Sequence, residues 1–404
     1  MSNPIEFDPS NLPPLLMTGE AGSFANITMT TRIPEIVQNV LGDFGDKFPD
    51  DTRQALQALQ AEILNNQRLQ PLQTQAPDKD SWSAACRPYL GQRWFDLPWY
   101  FAETFFYRRL LEAVGYFGES EWAGVDPFLP RKQAELRGEA PWQILSMALE
   151  HSRANADDSF RLLLHHGVWG NRLDLSYTQV ARAASGQIAV EQEQANLLID
   201  DTAAVWSHLQ HRGQGRIDFI SDNSGTELLM DLALADFLLR FDWAEQITLH
   251  VKAHPTYVSD TIPADVDLTI AALNSQQAVE LQALARRLTG YQRLRVRADY
   301  FWNSSRFFWE LPVSLQEDLA RANLVIVKGD ANYRRLIGDC RWPTTSPLAE
   351  RAPYFPTSLV ALRTMKSDPI VGLRAGQAEA LDQIDAAWRV NGKRGVIQAV
   401  LKNG

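Results

Sequence analysis

Two acids and an amide stand where strand-like runs of this chain end. Ile217 to Ile220 is a short β-rich run leading into Ser221-Asp222-Asn223-Ser224-Gly225-Thr226-Glu227, and Gln246 to Val251 leads a few residues further on into Val258-Ser259-Asp260. Carboxylate and amide oxygens are hard donors. Asp222 and Asp260, with Asn223 as a neutral third, suit magnesium or manganese better than nitrogen-preferring metals. So few protein donors would leave positions for water and a substrate oxygen, where a cation polarises a phosphoryl group. An Asp and an Asn after a strand are also ordinary turn and N-cap residues, so this reading needs partners.

The partners are cations. Leu324 to Val327 runs into Lys328-Gly329-Asp330-Ala331-Asn332-Tyr333-Arg334, and Ser358 to Leu362 runs into Arg363-Thr364-Met365-Lys366. Lys328 and Lys366 fall just past a strand, and Arg363 adds a planar fork matched to phosphate. Asn332 falls where a helix beginning near Ala331 would expose unpaired amide groups, themselves an anion cradle. A lysine after a strand is more often a surface residue. Two such motifs beside an acidic tip favour a site for a metal and a phosphate ester.

Such side chains meet only if the strands are parallel in one sheet, because ligands collect at the carboxyl ends of parallel strands. From Arg216 onward, strand patterns (217–220, 247–251, 294–296, 324–327, 358–362, 396–401) alternate with helical ones (228–241, 276–288, 315–322, 332–338, 375–388). This alternation predicts an α/β fold of three layers, α/β/α, around a mostly parallel sheet. Before it, apolar residues recur at helical spacing, as in Ile36, Val37, Val40 and Leu41 or Phe101, Phe105, Phe106 and Leu110. The expected division is an N-terminal helical lobe over 1–210 and a catalytic α/β/α domain over 211–404. The aromatic block from Tyr300 to Trp309 reads as core rather than a sugar-pocket wall. His165, His166 and His254 have no metal-ligand spacing.

Bulk properties narrow the partners. Among 404 residues, 39 Lys and Arg face 49 Asp and Glu, for a net charge of −10. An acidic chain argues against nucleic acid, which demands a basic surface. A local cation cluster within it fits a small phosphorylated metabolite. Cys86 and Cys340 are too few for a disulfide scaffold and lack zinc spacing. The first residues lack the pattern of a secretion signal, and no apolar stretch approaches the ~20 residues of a membrane span. The expected setting is the cytoplasm.

The motifs Asp222-Asn223-Ser224-Gly225-x-Glu227, Val258-Ser259-Asp260, Lys328-Gly329-Asp330-x-Asn332-Tyr333-Arg334 and Arg363-Thr364-x-Lys366 resemble those of the metal-dependent damage-control phosphatases. The Arg-Thr-x-Lys tetrad points to the third subfamily, sugar-phosphate phosphatases also described as acidic-residue methyltransferases. Trp169-Gly170-Asn171-Arg172-x-Asp174 and Trp99-x-Phe101-Ala102-Glu103 extend the similarity over about residues 95 to 400, and the first 90 or so carry no matching motif. The resemblance implies that Asp222, Asn223 and Asp260 hold a catalytic divalent metal: manganese, cobalt, nickel or magnesium. It implies that Lys328, Gly329, Asp330, Asn332 and Lys366 bind the substrate, of the fructose 1-phosphate or fructose 6-phosphate type. Arg363, Glu227 and Asn171 complete the candidate binding set.

Rival readings remain at this stage. Methyl transfer from S-adenosylmethionine to protein carboxylates would use Glu227 and Asp260, but the glycine-rich turn usual for that cofactor is reduced to Gly225. A haloacid-dehalogenase nucleophile loop is excluded because Ser224 stands where its second acid belongs. A non-catalytic sugar-phosphate binder would bind without turnover. Whether Asp222 attacks phosphorus or only holds the metal is open.

Overall fold

Residues 7–151, 155–170 and 196–402 are described by a computed structural model. Short runs rich in Val, Ile and Leu form the strands β1 (Leu197–Asp200), β2 (Arg216–Ile220), β3 (Gln246–Lys252), β4 (Leu294–Asp299), β5 (Leu324–Lys328), β6 (Leu359–Thr364) and β7 (Gly395–Val400). They make one sheet in the order β1-β7-β6-β5-β2-β3-β4. From β2 to β6 every pairing is parallel; β7 runs antiparallel to β6 and carries β1 parallel to itself. After β2 the chain moves outward through β3 and β4, then returns to the other side of β2 as β5. That reversal leaves a crevice beyond the carboxyl ends of β2 and β5, where an open α/β sheet binds its ligands.

Helices cover both faces, so the central strands are apolar on both sides. Along β5 the side chains alternate, Leu324 and Ile326 entering one core and Val325 and Val327 the other. The first core is closed by the helix Thr226–Arg240, in which every residue from Thr226 to Leu239 is buried. It explains that segment's nearly uniform apolarity, since a helix enclosed all round needs no polar face. A third core, including Met29, Val37, Leu56, Trp94 and Phe105, lies within the N-terminal helices.

The expected α/β/α architecture with helices ahead of it is what the chain adopts. Two features lie outside the strand pattern read from sequence: β1 is only four residues long, and β7 is reversed. The helices Ala140–His151, Ala156–Trp169 and Thr202–Arg212 begin before residue 211, yet Leu145, Phe160, Trp169 and Trp206 belong to the first sheet core. Helical periodicity shows that a face is buried but not against what. The aromatic block is core, with Phe301, Trp302 and Phe308 buried beside β2 and β5 residues. Among the described residues no helix is long and apolar enough to cross a membrane.

Candidate active site

Backbone bonds stitch the two acid-bearing loops together. The Ser224 N–H donates to the Ser259 carbonyl and the Thr261 N–H to the Asp222 carbonyl, both at 2.7 Å, and Asn223 bridges Asp260 in antiparallel fashion. The Asn223 amide donates to Asp222 Oδ2 (2.8 Å) and Glu227 Oε2 (3.0 Å), and its oxygen accepts from Ser259 Oγ (2.6 Å). Two glycines permit the packing. Gly225, at φ +69°, turns the chain into the Thr226–Arg240 helix against Glu135, whose Oε1 accepts from Thr226 N and Oγ1 at 2.8 Å. Gly329, at φ +84°, brings the loop after β5 so close to β2 that a Cβ there would lie 1.9 Å from Asp222 Oδ2.

Electrostatics separate Asp222 from its neighbours. Asp260 pairs with Lys252 at 2.8 Å, Asp231 with Lys328 at 2.7 Å, and Asp330 with Arg363 at 2.7 Å. Among the described residues Asp222 has no cation within ion-pair distance. Burial, then Asp260 and Glu227, pushes its carboxyl well above the usual carboxylate range. Asp260 is also raised, by burial and then by Glu227, despite Lys252 and Lys132. Asp330 goes the other way: burial would raise it, but Arg363 and Arg334 outweigh burial and keep it ionised. Buried, mutually repelling carboxylates fit a hard divalent cation, which would relieve the repulsion, and the Asn223 oxygen would join them on a flip of the amide that now turns its NH2 to Asp222.

Asp222, Asn223, Asp260, Asp330 and Lys366 line one cavity of about 400 Å³. Other expected binding residues lie beneath it. Lys328 is buried, bonded to Asp231 and donating to the Gly167 carbonyl at 2.5 Å, so its charge is spent within the protein. Arg363 is clamped by Asp330 and by the Ser367 and Pro369 carbonyls over the Tyr333 ring. The Asn332 amide donates to the Ser221 (3.2 Å) and Lys328 (2.9 Å) carbonyls, tying the end of β2 to β5 rather than facing a ligand. Glu227 sits behind Asn223, 3.6 Å from Lys328. Asn171 lies outside the described residues.

Opposite the sheet rim, Arg32, Glu35, Asn39, Trp99 and Glu103 of the N-terminal helices line the same cavity, as do Tyr257 and Arg334. Sequence reasoning quoted Trp99, Glu103 and Arg334 within motifs but gave them no place in the site, and it missed Arg32, Glu35 and Asn39 altogether. Arg32, Glu35 and Asn39 recur at helical spacing, but only the tertiary fold tells a polar stripe lining a cavity from a solvated one. Between β3 and Asp260, Tyr257 (φ 48°) and Val258 (φ 70°) hold left-handed backbone. For a β-branched residue this is strained, and it lies beside a candidate ligand, where such strain tends to concentrate.

A second polar cluster lies on the same strands. Asp218 of β2, His250 of β3 and Asp318 bring ligand-type atoms within 4.8 Å of one another, a grouping that could hold a metal. Arg216, however, already bridges Asp218 (2.6 Å) and Asp318 (3.0 Å), and Arg297 reaches Asp318 at 2.5 Å.

A family model described as the damage-control phosphatase ARMT1-like domain matches residues 28–381. The chain belongs to this family. The match takes in most of the N-terminal residues on which no motif could be read. Proteins called damage-control phosphatase ARMT1 are similar along nearly their whole length: from Danio rerio, 30% identical over 96% of this chain and 97% of that protein; from Mus musculus, 29% over 96% and 98%; from Homo sapiens, 28% over 96% and 98%. A DUF89 family protein from Pyrococcus horikoshii aligns over 92% of this chain and 96% of its own at 13% identity and a TM-score of 0.49, too distant to bear on single residues. This damage-control phosphatase is thus an enzyme, a hydrolase of phosphate monoesters.

Proposed function

We propose that this damage-control phosphatase hydrolyses the phosphate monoesters of small sugars, fructose 1-phosphate and fructose 6-phosphate among them, in the cytoplasm. A divalent cation, with manganese, cobalt, nickel and magnesium as the candidates, would be held by Asp222, Asn223 and Asp260, and when bound would offset charge on the phosphoryl oxygens. The observation that carries the reading is the convergence of those three residues with Asp330 and Lys366 on one cavity. Its volume falls in the range of small-ligand sites, and its polar lining suits a polyhydroxylated ester better than an apolar one.

The protein's own groups divide the work. Among the described residues Lys366 makes no side-chain ion pair, so its ammonium is available to a phosphate oxygen; its backbone N–H is anchored on Asp330 Oδ1 at 3.2 Å. Lys328, Asn332 and Arg363 act indirectly, fixing the loops that carry Asp330 and Lys366. The helical lobe forms the roof and limits the size of the sugar. Methyl transfer draws no comparable support, since cationic Lys366 and Arg32 at the cavity would repel a sulfonium donor.

The test is phosphate release from fructose 1-phosphate, fructose 6-phosphate and an aryl phosphate, with and without manganese or cobalt. Metal-dependent release from the sugar esters is expected. Equal release after exhaustive chelation would falsify the metal assignment, and release from the aryl ester alone would remove the sugar.

A further inference from the structure

The roof of the cavity holds a cation, Arg32, that makes no ion pair among the described residues. Arg32 ends a π-helical turn, Thr28–Arg32, that leads directly into the helix Ile33–Phe44. Such turns carry one extra residue and recur at functional sites, because they re-aim a side chain that regular winding would place elsewhere. Arg32 lines the cavity with its side chain accessible, and among the described residues its guanidinium has no hydrogen-bond or ion-pair partner. The other two arginines of the lining are engaged. Arg334 holds Glu103 (2.6 Å) and Asp339 (2.8 Å), and Arg131 holds Asp43 (2.7 Å).

Two acids near Arg32 are occupied too. It lies within electrostatic reach of Glu103 and Asp330. Glu103 already accepts from Arg334 and, at 3.4 Å, from the Tyr257 hydroxyl; Asp330 accepts from Arg363 and the Lys366 N–H. Glu35 and Asp222 line the cavity too, but neither pairs with Arg32, so its five-donor fork can take an anion, and its planar geometry matches two oxygens of a phosphate. Lys366 lines the same cavity from the sheet side.

We propose that Arg32 is a substrate-binding residue that grips the phosphate of the ester from the helical lobe, opposite Lys366. This rests on the phosphatase reading above and extends it: half of the phosphate clamp comes from the N-terminal helices rather than from the sheet.

The experiment measures kcat and KM for fructose 1-phosphate, the inhibition constant of inorganic phosphate, and thermal melting, all with manganese, for the wild type, Arg32→Ala and Arg32→Lys. Arg32→Ala should raise KM and the phosphate inhibition constant by about 10- to 100-fold, as loss of a charged hydrogen-bonded pair does, with kcat less affected. Added guanidinium should restore part of the loss in Arg32→Ala and do nothing for the wild type. Arg32→Lys keeps the charge without the fork and should fall between. An unchanged phosphate inhibition constant in Arg32→Ala overturns the proposal; should that variant not fold, an unchanged constant in Arg32→Lys does the same. If the wild type hydrolyses no sugar phosphate, the substrate reading fails, and calorimetric titration with inorganic phosphate still decides Arg32. Binding lost in Arg32→Ala supports it, whereas equal binding, or none in the wild type, overturns it.

Discussion

Strands β2 and β3 each contribute to two clusters of charge, and the clusters have opposite characters. In mid-sheet, Asp218 and Asp318 are matched by Arg216 and Arg297, with His250 alongside, so charge is balanced inside the protein. At the strand ends, Lys252, Lys328 and Arg363 each find an acid, and among the described residues Asp222 is left without a close cation. Asp218, His250 and Asp318 lie at metal-ligand spacing, whereas Asp222 and Asp260 share a cavity. What tells a structural cluster from a reactive one is whether the protein itself brings the compensating charge.

The sharpest way to break this contrast is to remove the acids. Asp222→Ala and Asp260→Ala should each lower metal-dependent turnover by about a thousandfold or more while far-ultraviolet circular dichroism stays native, as expected for a transition-state charge clamp. In the mid-sheet cluster the corresponding lesion is Arg216→Met, which strands Asp218 and Asp318. It should destabilise the fold by about 2–3 kcal/mol in urea unfolding, somewhat below the penalty for a fully buried pair, and leave kcat of the folded fraction near wild type. A large loss of kcat there would move the centre to the Asp218 cluster.

Protonation sharpens the comparison further. Asp222 and Asp260 have folded pKa values above their unfolded ones, so their contribution to stability is present at acid pH and is lost as pH rises through the raised values. In chelator, the melting temperature should therefore lose this contribution as pH rises above the ordinary carboxylate range, and the increase produced by manganese should grow over the same rise. A manganese shift independent of pH would contradict the assignment. A smaller effect is expected of Lys366→Ala, with KM for fructose 1-phosphate rising about tenfold and melting unchanged. The smallest comes from Val258→Gly, where relief of the positive φ and the added freedom of glycine should offset to within about 1 kcal/mol.

Much of the reactive side was legible because its chemistry is local. Asp222, Asp260, Asp330 and Lys366 follow recognisable strand patterns, and parallel pairing brings them to one cavity. Lys328 and Arg363 are still within β5 and β6, and their side chains turn beneath the cavity toward Asp231 and Asp330. The sequence pattern does not reveal where a strand ends, and a residue still within the strand points into a face of the sheet rather than into the crevice. Arg32 was illegible for a different reason: its significance depends on a π turn and on acids more than seventy residues distant along the chain. Strand β1, four residues without alternation, gave too little pattern to separate it from the neighbouring helix.

The missing Cβ of Gly329 offers a lesion of another kind. Exchanging that glycine for alanine alters no charge and deletes no donor, yet the methyl would overlap an Asp222 oxygen. Such a variant would carry the complete chemical inventory of the centre and fail through crowding alone, separating the contribution of shape from that of composition.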